Sequence, residues 1–194
     1  MSSSNWDKYM NAGKIQTFFV ERFLVHILDL FGKTGGKSVL DLGCAEGFVI
    51  NKIKNKYPSV RCEGIDIDED ALSRGRNLHP DLILRTGDLL NTSEIKVDTD
   101  VVMCLEVLEH LPDTKSALSS LRTLNKNYLI LSVPNEPLFR ISNFLRLKYI
   151  LRFGNRLDHV HCWGRRKFSK IIKDAGFEII DHRYPFPWQI YLLR

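Results

Sequence analysis

No run of apolar residues in this 194-residue chain reaches the ~18 that a membrane-spanning helix requires. The opening residues, Met1 to Lys8, contain no apolar core and no small-residue cleavage site, so no secretory leader is expected. Cysteine is scarce and scattered: Cys44, Cys62, Cys104 and Cys162 form no C-x-x-C pair. That spacing argues against a disulfide framework and a thiolate zinc site, and makes a reducing, cytoplasmic setting the expectation. Internal repeats and low-complexity tracts are absent too. With 44% hydrophobic and 26% charged residues, the composition excludes a disordered chain or a fibre and fits a single domain over 1–194.

The formal net charge is +5, but it is unevenly placed. From Arg140 to Lys173 there are ten Lys and Arg and a single acid, Asp158, so the rest of the chain is net acidic. A basic segment on an acidic body favours an anionic partner: a phosphate, a nucleic acid or an anionic lipid surface. A solvated face that keeps the protein in solution is the plainer explanation.

Apolar spacing predicts one or two helices from Trp6 to Phe31, within an N-terminal helical region over 1–36. Strands are expected at Ser38–Gly43, Cys62–Ile67, Leu82–Leu84, Asp100–Leu105 and Tyr128–Val133. Helices are expected between them at Glu46–Lys56, Glu69–Leu78 and Thr114–Leu124. This alternation implies an α/β fold: parallel β-α units in a doubly wound sheet, with apolar strands buried on both faces. The segment 135–160 interrupts the rhythm and reads as an insertion carrying a helix from Pro137 to Phe153. A helix at Arg165–Ala175 and strands at Phe177–Tyr184 and Trp188–Leu193 close the chain.

The first strand ends in Val39-Leu-Asp-Leu-Gly-Cys-Ala-Glu-Gly47, a D-x-G-x-x-x-G turn. It is not the dinucleotide fingerprint G-x-G-x-x-G. Asp41 and Glu46 would repel a pyrophosphate and suit a ligand with positive charge. Asp66, ending the second strand 19 residues after Gly47, is placed to accept from both hydroxyls of a ribose. Asp88, after the third, could accept from an exocyclic amine.

These motifs, with Gly64-Ile-Asp-Ile-Asp68, Thr86-Gly-Asp-Leu-Leu90, Asp100-Val-Val-Met-Cys-Leu-Glu-Val-Leu-Glu-His-Leu111 and Leu129-Ile-Leu-Ser-Val-Pro-Asn135, resemble the class I S-adenosylmethionine-dependent methyltransferases over roughly 38–177. One departure is Asn125-Lys-Asn127 in place of the Pro-Gly-Gly turn common before the fifth strand. The resemblance implies a Rossmann-like seven-stranded sheet with an antiparallel last strand and a helical lid over 135–160. It implies that S-adenosyl-L-methionine is held by Asp41, Gly43, Cys44, Ala45 and Gly47 at the methionine end. Asp66 and Ile67 would take the ribose side, Asp88 and Leu89 the adenine side, and Leu105 the floor.

Glu106-x-x-Glu109-His110 leaves the fourth strand with spacing that places all three on one face if the chain turns helical. The motif resembles that of the ubiquinone-pathway O-methyltransferases and the small-RNA 3′-end 2′-O-methyltransferases, which pair it with a later histidine before a tryptophan. Here Asp158-His-Val-His-Cys-Trp163 stands in that place, so His159 and His161 are both candidates. Two chemistries stay open. Glu106, Glu109, His110 and His159 could ligate Mg²⁺ or Mn²⁺, or His110, His159 or His161 could act as general base with Glu109 beside it.

The expected function is transfer of a methyl group to an oxygen of a small or lipid-linked, partly anionic acceptor. The alternatives are an RNA 2′-O-methyltransferase and a non-catalytic S-adenosylmethionine-binding protein. Membrane-surface contact through the basic lid is a further expectation.

Overall fold

The structure, a computed structural model, describes residues 4–91, 95, 98–124, 127–136 and 161–194. Two N-terminal helices, α1 (Ser4–Met10) and α2 (Lys14–Thr34), precede the sheet. The order is then β1 (Ser38–Leu42), α3 (Phe48–Lys56), β2 (Arg61–Asp66), α4 (Glu69–Leu78), β3 (Ile83–Thr86) and β4 (Val101–Leu105). A single 3-10 turn at Leu108–His110 leads to α5 (Thr114–Leu124) and β5 (Tyr128–Pro134), and α6 (Arg165–Asp174), β6 (Ile179–Arg183) and β7 (Trp188–Leu193) complete the chain.

The seven strands form one sheet in the order β3-β2-β1-β4-β5-β7-β6. β1 to β5 run parallel, and β7 lies antiparallel between β5 and β6. Alternation along each strand divides the core. Val39, Val101, Met103 and Ile130 face the α2 and α3 side; Leu40, Val102, Cys104, Leu129 and Leu131 face the α5 and α6 side. Both faces are covered, which explains strands that read as unbroken apolar runs. Each fully enclosed Leu or Ile contributes roughly 1.5–3 kcal/mol through burial.

Local signals account for several boundaries. Asp68 caps α4 by accepting from the Ala71 N–H at 3.0 Å, so that helix starts at Glu69 as the sequence indicates. α3 begins two residues later than expected, at Phe48, because Gly47 occupies the cap with φ +78°. α2 runs through Gly32 and stops only where Gly35 turns left-handed at φ +62°. The helix expected at Pro137–Phe153 lies outside the described residues. The two ends of that segment are tied together: the buried Gln189 amide donates to the carbonyls of Pro134 (3.1 Å) and Trp163 (2.9 Å), and accepts from the Tyr191 hydroxyl (2.9 Å).

Strand order reverses between β1 and β4, one leading to β2 and the other to β5. The carboxyl ends of these strands open a crevice, the usual ligand position in such a sheet.

Candidate functional site

The glycine loop forms the wall of that crevice. Gly43 adopts φ +80°, and a Cβ there would lie 2.3 Å from Val107 Cγ2, so only glycine fits against the β4 exit. Ala45 is also left-handed (φ +47°), a conformation worth roughly 1–3 kcal/mol of strain in a residue with a side chain. Its N–H is thereby aimed at Asp66 Oδ2, 2.6 Å away. The other Asp66 oxygen accepts from the Asp68 N–H at 2.9 Å. A two-oxygen carboxylate retains acceptor capacity beyond these two bonds.

Asp41 lies beneath the loop and is buried, with no hydrogen-bond partner for Oδ1 among the described residues. Burial, reinforced by the charge of Asp66, raises its carboxyl to a pKa of about 8. Such a group is poised to ionise when a cation arrives. Glu46 behaves differently from the expectation that it offers charge to a ligand. It is fully enclosed and accepts from Arg74 Nη2 (2.8 Å) and Asn5 Nδ2 (2.8 Å), so its charge is spent within the protein.

Farther along, Ile67 is 74% exposed beside Asp66, and Asp88 is exposed and accepts from the Leu90 N–H. Leu89 and Leu105 are buried beneath. Cys44 and Cys104 are buried thiols, their pKa values pushed up chiefly by burial, which suits packing and not reaction. Trp163 is core.

At the other end, Glu106 leaves β4 with φ +60° and accepts from the Ser132 hydroxyl at 3.0 Å. Glu109 is buried, and the half-exposed His110 has Nε2 3.9 Å from Glu109 Oε1. His161 returns to this corner: its N–H donates to the Glu109 carbonyl (3.2 Å), its Nε2 meets the Pro112 carbonyl (3.3 Å), and its ring stacks on Trp163. A carbonyl only accepts, so Nε2 carries the proton and Nδ1 is the basic nitrogen of the neutral ring. Among the described residues no three His, Cys, Asp or Glu side chains gather as a metal site. His159, and the lid over 137–160, lie outside the described residues.

The two N-terminal helices fall in the region where one or two were expected, but sequence reading placed no site residue on α1. Tyr9 stacks on Phe48, the residue after the glycine loop, with ring centroids 4.7 Å apart.

A family model described as a methyltransferase domain matches residues 16–182. The chain belongs to this methyltransferase-domain family. It is similar to a ubiquinone biosynthesis O-methyltransferase of Nitrosomonas europaea, 30% identical over 164 residues, or 78% of this chain. The match spans 64% of that relative's length. Among solved structures, the methyltransferase domain is similar to magnesium protoporphyrin IX methyltransferase from Synechocystis PCC 6803 with bound SAH (TM-score 0.73, 20% identity, covering 98% of this chain and 94% of that one). It is also similar to the methyltransferase domain of bacterial CtHen1 (TM-score 0.69, 20% identity, covering 90% and 98%). The seven-stranded sheet with its antiparallel last strand is the fold these proteins share.

Proposed function

We propose that this methyltransferase domain uses S-adenosylmethionine to methylate an oxygen of a small or lipid-linked, partly anionic acceptor. The observation that carries the reading is Asp41, a buried carboxyl with an unpartnered oxygen under the glycine loop, one strand from Asp66. S-adenosylmethionine bears an ammonium and a sulfonium, and these residues fit it: Asp41 for the positive end, Asp66 for the ribose hydroxyls, exposed Ile67 as an apolar surface for the base, and Asp88 for its amine. When bound, it supplies an activated methyl whose leaving group is a neutral thioether.

The chain's own work is positioning and proton removal. Holding an acceptor oxygen in line can supply much of the rate, and an alcohol or phenol oxygen also needs its proton taken. His161 is the base that the geometry supports, through Nδ1, with His110 beside Glu109 as the second candidate. A divalent cation held by Glu106, Glu109, His110 and His159 is the competing chemistry. Ubiquinone biosynthesis is named for the relative above and supports an oxygen acceptor with a lipid tail. The basic segment Arg140–Lys173 favours anionic character in the acceptor, and contact with an anionic membrane surface. It also supports an RNA ribose as the second reading.

No helix among the described residues is long and apolar enough to cross a membrane, and the four thiols are free. A cytoplasmic setting is part of this proposal, and the scattered cysteines, with no C-x-x-C pair, support it.

The test is a ligand screen followed by acceptor pools. S-adenosylhomocysteine should raise the melting temperature and NAD should not. Labelled methyl from S-adenosylmethionine should then appear on prenylated phenols and not on small RNA; transfer to RNA alone would reverse the preference. Charge reversal at Lys148 and Arg152 should raise the acceptor KM and leave cofactor affinity unchanged.

A further inference from the structure

We propose that the outward face of α2 is the interface of a two-fold dimer, in which a second copy of this chain lays its own α2 alongside in the same direction. The dimer is independent of the cofactor reading above.

α2 buries Val20, Phe23, Leu24, Ile27, Leu30 and Phe31. At about 3.6 residues per turn, the side opposite these is a ridge carrying Phe18 and Val25, almost two whole turns apart. The solvent side of such a helix is ordinarily polar. Phe18 is instead 53% exposed and Val25 62%, and Ile15, one turn before Phe18, is 72% exposed. The Phe18 ring is held in place: the Arg22 guanidinium lies over it, and the Phe19 ring meets its edge with centroids 5.5 Å apart. A grouped apolar surface of this kind marks an interaction site.

The charges select the occupant. Glu21 and Arg22, both exposed, flank the ridge at roughly 50° on either side. Asp29, farther along, is answered within the chain by Arg183 and Lys33. An anionic lipid surface or an RNA would meet Glu21 together with Arg22 and gain little. A second copy satisfies both, because a two-fold interface presents the same patch from each side. Rotation about an axis parallel to α2 sets Phe18 on the partner's Phe18, Val25 on the partner's Val25, and Arg22 beside the partner's Glu21 on both flanks. An antiparallel pairing of Phe18 with Val25 would set Arg22 beside its own counterpart instead. α2 ends at Gly35, just before β1, and Phe19 packs on Phe186 next to Pro187, whose carbonyl accepts from the Asn135 N–H at the β5 exit. The first half of α2 thus lies at the crevice end, and parallel pairing turns both crevices the same way. One helix ridge covers less than the ~800 Å² per partner of a standard interface, so the dimer is weak and concentration-dependent.

Sedimentation equilibrium of the full chain tests this. The mass should rise from the 22.5 kDa of one chain toward twice that as concentration increases through the micromolar range. Val25→Glu, at an exposed position that leaves the core intact, should stay monomeric throughout. Arg22→Glu and Glu21→Arg should each be monomeric alone, since each gathers like charge on both flanks, and an equal mixture of the two should dimerise again. A monomer at every concentration, a dimer indifferent to Val25→Glu, or a mixture that fails to associate each overturns the proposal. So does a monomer that binds phosphatidylglycerol–phosphatidylcholine vesicles and loses this with Val25→Glu, which would give the face to a lipid surface.

Discussion

The backbone N–H of Ala45 and the carboxylate of Asp66 are 2.6 Å apart, across 21 residues of sequence. This bond ties the glycine loop to the end of β2, so Asp66 shapes the loop, and on the proposed reading it also faces the ligand. Asp66→Ala should remove most of the thermal shift given by S-adenosylhomocysteine. At a ligand concentration of 100 Kd that shift corresponds to about 2.7 kcal/mol. An undiminished shift in the mutant would remove Asp66 from the site.

Asp41 gives a pH prediction. A carboxyl whose folded pKa stands above its unfolded value keeps its proton in the folded state. Its contribution to stability is full below the unfolded carboxylate range near ~4. It is lost as pH rises through about 8. The unliganded protein should therefore weaken toward alkaline pH, and Asp41→Asn should flatten that slope. Binding of a cationic ligand favours the ionised carboxylate, so it should release close to one proton at pH ~7 and none well above the folded pKa. Calorimetry in two buffers of different ionisation enthalpy measures this; equal heats would refute it.

For the reacting end, His161→Gln keeps a side-chain amide for the Pro112 carbonyl and deletes Nδ1. If Nδ1 is the base, kcat should fall by about 10²–10⁴-fold while cofactor affinity holds. Chelator should then have no effect. Loss of turnover on chelation, with recovery on adding Mg²⁺ or Mn²⁺, would instead establish the metal chemistry.

Away from the site, Asp181 joins β6 to α2 through Lys33 and Arg183, and Arg183 also reaches Asp29. Burial works against the Asp181 charge. Hydrogen bonds from Lys33, Arg183 and the His182 N–H outweigh it and hold the carboxyl well below the usual range. This stabilisation is present above the unfolded carboxylate pKa and is lost as pH falls through the folded value. Asp181→Asn should cost about 1 kcal/mol at neutral pH, since the partners are partly exposed. The difference from the unmutated protein should shrink in strong acid, as read from urea unfolding across pH.

Most of the sheet was legible because its signals are local. An Asp68 cap, a left-handed Gly43 and apolar runs at strand length need no knowledge of the rest of the chain. The positions of Asp41 and Asp66 near the ends of β1 and β2 were legible for the same reason. Glu46 was not: its neighbours Asn5 and Arg74 are 41 and 28 residues away, and nothing near it in sequence marks a carboxylate that is already occupied. The packing of Tyr9 on Phe48 was not legible either, since a seven-residue helix carries too few turns to reveal which side faces inward. The helical E-x-x-E-H face was a sound local inference, but the chain makes one 3-10 turn there, which sends Glu109 into the core and Glu106 back to Ser132.

Gln189 gives the architecture a seam. Because one side-chain amide grips the carbonyls of both Pro134 and Trp163, the chain leaves and re-enters the sheet at a single knot. Whatever lies between can lengthen or shorten at small expense, since doubling a loop adds only about 0.6 kcal/mol of closure entropy. If, as proposed, this segment faces the acceptor, insertion and deletion between 137 and 160 can change acceptor preference while the glycine loop and β2 keep their sequence. A segment grafted across this seam from a relative should then alter the acceptor without disturbing the sheet.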